Sequence, residues 1–493
     1  MLVGVDDVEP GFGEEAADRG DQARAVGTGE EQAGAVGLAG DAGMMPVAAM
    51  SGTQHESRAR RFPYHPRAHA RRRRGERLGL REACAMAIGG MIGGGIFSVL
   101  GVTVDLAGHL AFTAFLIGAV IAALTARAYA RLAIHAGRSG GPFAYLREEG
   151  HPEAAAWVGW LLIAGYVFAL AVYAFTFGHY LAHAFGAPSS VARVAGVGVL
   201  AAFVAINLRG VATSGLTEDL IVAIKLAVLG GISLVGVASL TAERLTPLDN
   251  KGLLGVLLGA SLIFVAYEGF ELLPYDYDDL DRPRRNLPRA LFISVGIVAL
   301  VYVAVTLASQ MLVSDRTLAA QKEVAFALVG KQALGTFGLW AATVAAAFST
   351  GSAINATLFS TARLVRDVSG AGELPAALGR ERRGLPAVAV VSIALLGGAF
   401  SLLPGIVEVV AFGSLTFLLV FGLVNFLHAR HTARPGWDRG LADLGGAACF
   451  AAAAGLLFEL ARSDWPALVL IGVCAVAIGA GRLAFVRSRV GGS

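Results

Sequence analysis

From Glu82 to Phe485 the chain is a succession of apolar segments, each near the roughly 20 residues a helix needs to cross about 30 Å of hydrocarbon. Twelve can be marked: 82–101, 106–132, 153–184, 190–208, 216–240, 253–274, 288–313, 325–361, 386–404, 406–428, 441–461 and 464–485. The ninth and tenth are divided only by the turn at Pro404-Gly405. With 55% apolar and 16% charged residues, against about 25% charged in soluble domains, the chain is not built as a soluble globular enzyme. Its 64 glycines would weaken soluble helices, whereas membrane helices use glycine where they approach closely. The expectation is an all-α polytopic membrane protein with about twelve transmembrane helices.

Charge sets the ends. Forty basic and 37 acidic residues leave a net +3, which implies no affinity for polyanions as a whole. Residues 1–50 hold ten acids and two arginines among many Gly and Ala, a composition that cannot bury a core and reads as disordered. Residues 57–82 switch to arginine, culminating in Arg71, Arg72, Arg73 and Arg74. Beside a first span, such a run predicts an anchor for anionic lipid rather than a nucleic-acid arm. Met44, Met45 and Met50 sit at this seam, where a later translation start is expected; N-terminal sequencing of the native protein tests it. The first apolar segment lies too deep for a cleaved signal and is expected to remain as a span. Alternate loops divide unequally in Lys and Arg, and the richer set shares a side with the N-terminus. Both termini are therefore expected in the cytoplasm. Cys84, Cys449 and Cys474 have neither paired nor metal-type spacing, so neither a disulfide framework nor a zinc site is expected.

Two segments break the apolar rule. The first span contains Gly89-Gly90-Met91-Ile92-Gly93-Gly94-Gly95-Ile96-Phe97, and each glycine costs a helix about 1 kcal/mol relative to alanine. Unwinding in lipid is tolerated only where protein or a water-filled cavity satisfies the backbone, and freed N–H groups at a half-helix start can bind a carboxylate. The other reading makes Gly89/Gly93 and Gly90/Gly94 small-residue contacts for a neighbouring helix. The sixth span favours interruption, because Phe264-Val265-Ala266-Tyr267-Glu268-Gly269-Phe270-Glu271-Leu272-Leu273-Pro274 sets two acids, a glycine and a proline in an apolar segment. Interruptions five spans apart are what an inverted repeat with substrate at its interface produces.

These residues, with Arg138-Ser139-Gly140-Gly141-Pro142-Phe143-Ala144-Tyr145, Asn207-Leu208-Arg209-Gly210-Val211, Thr213-Ser214-Gly215, Asp279, Pro283, Pro288-Arg289-Ala290 and Asn355-Ala356-Thr357-Leu358 before Arg363, stand in a recognisable order. From about Leu78 to the tail the chain resembles the amino acid-polyamine-organocation (APC) superfamily of permeases. The resemblance implies a five-plus-five inverted repeat with broken helices 1 and 6 plus two extra helices, and secondary transport of an amino acid or amine. The domains would be a disordered extension at 1–80, repeats at 81–240 and 241–430, and the last two spans with a short tail at 431–493. Two departures are visible: Arg131 stands where the family commonly has an acid, and Val265 where many members carry a bulky aromatic.

On this resemblance, and by helix-end electrostatics, the N–H groups of Gly93, Gly94 and Gly95 would hold a substrate carboxylate. Carbonyls around Met91, Val265 and Ala266 would hold its amine, with Tyr267, Glu268 and Gly269 completing the binding segment. Intramembrane acids are expensive and usually functional, so Glu271 is the candidate proton carrier and Glu268 a partner for a second positive charge. Lys225, roughly 9 Å along its span from Asp219, resembles a lysine that stands in for sodium in some members. It would act beside Ser349, Thr350 and Ser352, unless it simply snorkels to the interface. His179 and His183 have i, i+4 spacing but no evident third ligand, so packing is expected rather than a metal.

No P-loop, HExxH or intramembrane catalytic constellation is present, so neither an ATP-driven pump nor an enzyme is expected, nor any cofactor. A channel would also use broken helices but lacks a filter-like repeat. The expected activity is uptake or exchange of a neutral amino acid, driven by protons or counter-substrate. Cationic amino acids or polyamines are the alternative because of Glu268.

Overall fold

The computed structural model describes residues 77–209, 215–239, 252–382, 384–432 and 436–490. The acidic stretch and Arg71 to Arg74 lie outside the described residues, as do Gly210, Val211, Thr213 and Ser214. Among the described residues the chain is helical, and its β pairing is confined to two isolated bridges, Leu78 with Leu280 and Arg382 with Leu385.

In chain order the helices are α1 (Leu80–Met91), α2 (Gly95–Ala107), α3 (Ala111–Ala136), α4 (Pro142–Glu148), α5 (Pro152–Ala184), α6 (Ser189–Leu208), α7 (Gly215–Ala238) and α8 (Gly252–Leu262). After α8 come two 3₁₀ stretches, Ile263–Tyr267 and Phe270–Asp279. Then follow α9 (Pro283–Leu312), α10 (Asp315–Ala320), α11 (Ala325–Gly370), α12 (Ala387–Ser401), α13 (Ile406–His431), α14 (Trp437–Ser463) and α15 (Trp465–Val490). Proline opens α4, α5 and α9, where its missing N–H costs nothing. Gly137, at φ +66°, closes α3 in the left-handed conformation that side chains resist.

Among the described residues, ten stretches are long and apolar enough to cross a membrane, and α12 is a shorter apolar helix. α5 and α13 are 78% buried over their most apolar windows while α15 is 11% and α6 17%, which puts α5 and α13 inside the bundle and turns α6 and α15 outward. α5 packs against α6, α11, α12 and α13, which sets it at the centre of the bundle. α15 is pinned at one point: the buried Arg482 guanidinium donates to Glu153 Oε2 at 2.6 Å, stands 3.6 Å from Glu373 Oε2 and lies over the Trp157 ring.

The largest departures from the sequence expectation fall at three boundaries. The first span is two helices and continues to Ala107. The eighth runs on to Gly370, past the expected Thr361, because Arg363, Arg366 and Asp367 extend the helix beyond the apolar layer, Arg363 pairing with Asp276 and Arg366 with Asp367 and Glu381. It also bends at Leu334 and Gly335, where the backbone leaves helical geometry. The sixth keeps α-helical geometry only as far as Leu262.

Candidate functional site

The site begins where two helices stop. α1 ends at Met91 and α2 restarts at Gly95, with Ile92, Gly93 and Gly94 between them. Across from them Glu268 is extended (φ −64°, ψ 146°) and Gly269 takes φ +121°, a conformation open to glycine and costly for any side chain. The two breaks cross at Gly90 and Gly269: a Cβ built on Gly269 would stand 2.5 Å from the Gly90 carbonyl carbon. Glycine at 269 is the condition for the backbones to meet, and a Cβ on Gly90, 3.1 Å from Gly269 O, would push them a few tenths of an ångström apart.

Unwinding frees carbonyls that hydrocarbon cannot satisfy, so each needs a donor from the protein. Lys225 of α7, fully buried, donates from Nζ to Gly89 O at 3.0 Å and Ile92 O at 2.6 Å. Ser349 of α11 donates to the same Ile92 oxygen at 2.5 Å. The hydroxyl of Tyr302, on α9, lies 2.8 Å from both Met91 O and Ala266 O, bridging the two breaks. At the end of α8, Ser414 Oγ donates to Leu262 O at 2.5 Å and accepts from Val265 N at 2.9 Å.

The acids are buried, 1% exposed each, and both turn towards α5. Tyr173 donates its hydroxyl to Glu268 Oε2 at 2.5 Å, and Tyr166 to Glu271 Oε1 at 3.3 Å. Glu271 Oε2 also accepts the Gly269 N–H at 2.7 Å. Seven residues apart on α5, the tyrosines share one face two turns along, one for each carboxylate. The Tyr173 ring lies against the first break, and a Cβ on Gly94 would meet its Cδ1 at 2.6 Å.

The expected residues thus divide. Met91, Gly93, Gly94, Gly95, Ala266, Glu268 and Gly269 line the facing breaks, and Lys225 and Ser349 converge on Ile92 O. Gly95 abuts Ala266, a Cβ there falling 2.7 Å from Ala266 Cα. Tyr267 turns away and donates to Phe115 O at 2.7 Å, and Val265 packs towards Gly413 of α13. Thr350 donates to Ala346 O on its own helix, with its methyl 3.3 Å from the Cβ position of Gly94. Ser352 is half-buried. The named bonds of Lys225 run to first-span carbonyls, where the sequence points to eighth-span hydroxyls. His179 stacks on Phe175, holds its carbonyl at 2.8 Å and faces Glu323. Asn207 and Asn355, from two separate motifs, are joined at 2.9 Å.

Tyr166, Tyr173, Tyr302 and Ser414 escape a reading of the sequence, because tyrosine and serine in apolar helices pass for ordinary packing. The seven-residue spacing of Tyr166 and Tyr173 opposite a Glu-x-x-Glu is the available signal.

At the end of the bundle where α1 starts, Leu78 N donates to Asp279 O and Asp281 N to Leu78 O, both at 2.8 Å. Ser139 and Asp278 exchange bonds, Ser139 N to Asp278 Oδ2 at 3.1 Å and Asp278 N to Ser139 Oγ at 2.9 Å. The segment entering α1 and the loop after α3 are thereby both tied to the chain leaving the second break.

Comparison with known proteins agrees with this architecture. The family described as amino acid permease matches residues 78–485. An uncharacterised protein of Methanocaldococcus jannaschii is 30% identical over 357 residues, covering 72% of this chain and 82% of that protein. The large neutral amino acids transporter small subunit 2 of Rattus norvegicus is 29% identical over 371 residues, covering 71% and 67%. Among solved structures, a mutant of the Eremococcus coleocola manganese transporter aligns with a TM-score of 0.52 over 83% of this chain and 93% of that one. At 11% identity that likeness concerns the fold alone.

Proposed function

The chain belongs to the amino acid permease family, and from that premise we propose that it is a secondary active transporter moving a neutral amino acid across the cytoplasmic membrane, with proton coupling or exchange. The observation that carries the proposal is the pair of facing interruptions, with a half-helix N-terminus on one side and two buried carboxylates on the other. In this reading the N–H groups of Gly93, Gly94 and Gly95, left without intrahelical partners at the start of α2, take the substrate carboxylate. Met91 O and Ala266 O take the amine. Glu271 carries the proton, and Lys225 with Ser349 holds the first break as a bound cation would.

The relatives named as large neutral amino acids transporters support the neutral class. Glu268 supports a second reading, a cationic amino acid or polyamine, since an ammonium could replace the Tyr173 hydroxyl at its carboxylate. The proposal includes twelve spans in a five-plus-five inverted repeat, 81–240 and 241–430, followed by two helices in 431–493. Both termini face the cytoplasm, and the arginine-rich segment within 1–80 rests on anionic lipid.

Uptake of a mixture of radiolabelled amino acids into proteoliposomes, with and without an imposed pH gradient and sodium, tests it. Gradient-dependent accumulation without sodium is expected. Absence of amino acid uptake under all conditions, counter-substrate included, would overturn the function.

A further inference from the structure

Tyr302 occupies an unusual position in the hydrogen-bond accounting. A hydroxyl has one hydrogen to donate, yet two carbonyl oxygens, Met91 O and Ala266 O, lie at 2.8 Å from it, one on each broken helix. The ring is fully buried and held edge-on by Phe115 at 5.5 Å and Tyr267 at 5.3 Å, so the hydroxyl is aimed by packing. Other interruption carbonyls have donors with hydrogens to spare or of their own: Gly89 O and Ile92 O the Lys225 ammonium, Leu262 O the Ser414 hydroxyl. The Ser98 hydroxyl also lies between two carbonyls, Gly94 O at 2.6 Å and Gly95 O at 3.0 Å, but both belong to one helix start and Gly94 O has the Ser98 N–H besides; the Tyr302 proton is shared between carbonyls of the two separate breaks.

We propose that the Tyr302 hydroxyl is the protein's own substitute for a substrate ammonium: it bridges the two interruptions when no amine does, and gives way when one arrives. The inference rests on the amine site proposed above and adds to it a consequence for the transport cycle. An ammonium brings three hydrogens and a charge and can serve both carbonyls fully, so it displaces a donor that serves them by halves. Without the hydroxyl, closing the breaks over an empty site would strand two carbonyls away from water. With it, the unloaded carrier can close and return. A carrier that returns unloaded performs net transport and is not bound to exchange one substrate for another.

The test separates two modes in proteoliposomes containing the full chain, using a mixture of radiolabelled alanine, serine, leucine, phenylalanine and glutamine. Net uptake enters vesicles free of amino acid under an imposed pH gradient. Exchange enters vesicles preloaded with the same unlabelled mixture. The wild type is expected to do both. Tyr302→Phe, which keeps the ring and removes the proton, is expected to lose net uptake by about ten-fold or more while exchange stays within about two-fold, the scale set by losing the one donor that two buried carbonyls share. Equal loss of both modes, or loss of neither, overturns the role of the hydroxyl. Should the variant fail to fold, the wild type still decides: exchange without any net uptake overturns the proposal. A wild type inactive in both modes overturns instead the transport reading beneath it.

Discussion

The ammonium nitrogen of Lys225 lies 2.6 Å from the carbonyl oxygen of Ile92, inside the first interruption and away from any water. Ile92 O keeps a second donor in Ser349, whereas Gly89 O has Lys225 as its named side-chain donor. Truncating Lys225 therefore strands a buried carbonyl, at about 1–3 kcal/mol. Lys225→Ala is expected to insert normally and to lose uptake by about ten-fold or more, the transport equivalent of that loss. Initial rates normalised to protein recovered in the membrane check this, and a wild-type rate with unchanged pH dependence would refute the role.

Substitution at the start of α2 is limited by space as well as by chemistry. A Cβ at Gly94 meets the Tyr173 ring at 2.6 Å, and one at Gly95 meets Ala266 Cα at 2.7 Å. Gly94→Val and Gly95→Val should each abolish uptake while membrane insertion persists. Gly95 abuts backbone rather than a mobile ring, so its variant is expected to be the less stable in detergent, as read by thermal unfolding.

The two acids should separate in their phenotypes. Glu271→Gln can still accept the Gly269 N–H but can no longer bind and release a proton, so uptake driven by a pH gradient is expected to disappear while exchange at equal pH survives. Tyr173→Phe takes the donor from Glu268 and leaves Glu271 with Tyr166. That variant is expected to change the apparent KM and to keep the pH dependence. Measuring KM against external pH for both variants checks the division, and identical behaviour would contradict it.

Arg482 gives a contrast remote from the site. Its guanidinium ties α15 to Glu153, Glu373 and Trp157. Arg482→Ala should cost about 1 kcal/mol in thermal stability, since it removes a buried guanidinium whose partner Glu153 is exposed and can turn to water, and leave transport per folded molecule nearly unchanged. A large loss of activity in a stable variant would show that α15 takes part in the cycle.

What was legible in the sequence was whatever is chemically foreign to hydrocarbon. Triple glycine, Glu268, Glu271 and Lys225 stand out in apolar segments because each carries a penalty that needs a reason, and all four features meet at the breaks. The donors that satisfy those breaks were hidden. Tyr302 and Ser414 are amphipathic or small enough to lie in any packed helix, and only the geometry assigns them, and Ser349 beside Lys225, to particular carbonyls. Helix ends misled where charge and apolarity were read as structure: α11 continues through Arg363 and Asp367 because a helix ends where its backbone loses partners, not where lipid ends. The 3₁₀ stretch from Phe270 to Asp279, itself broken by a kink at Asp276, had no signal beyond Gly269 and Pro274.

The crossing of Gly90 and Gly269 is contact between bare backbones, and this has a consequence for how such a chain can vary. Packed side chains can drift together, one growing as the other shrinks, so that a family keeps its contacts while exchanging its residues. Neither of these positions holds anything to trade. A methyl gained at one cannot be offset by a deletion at the other, and the damage is open to reversion but not to compensation. The crossing is a joint that one substitution can spoil and that no second substitution on the opposite segment can mend.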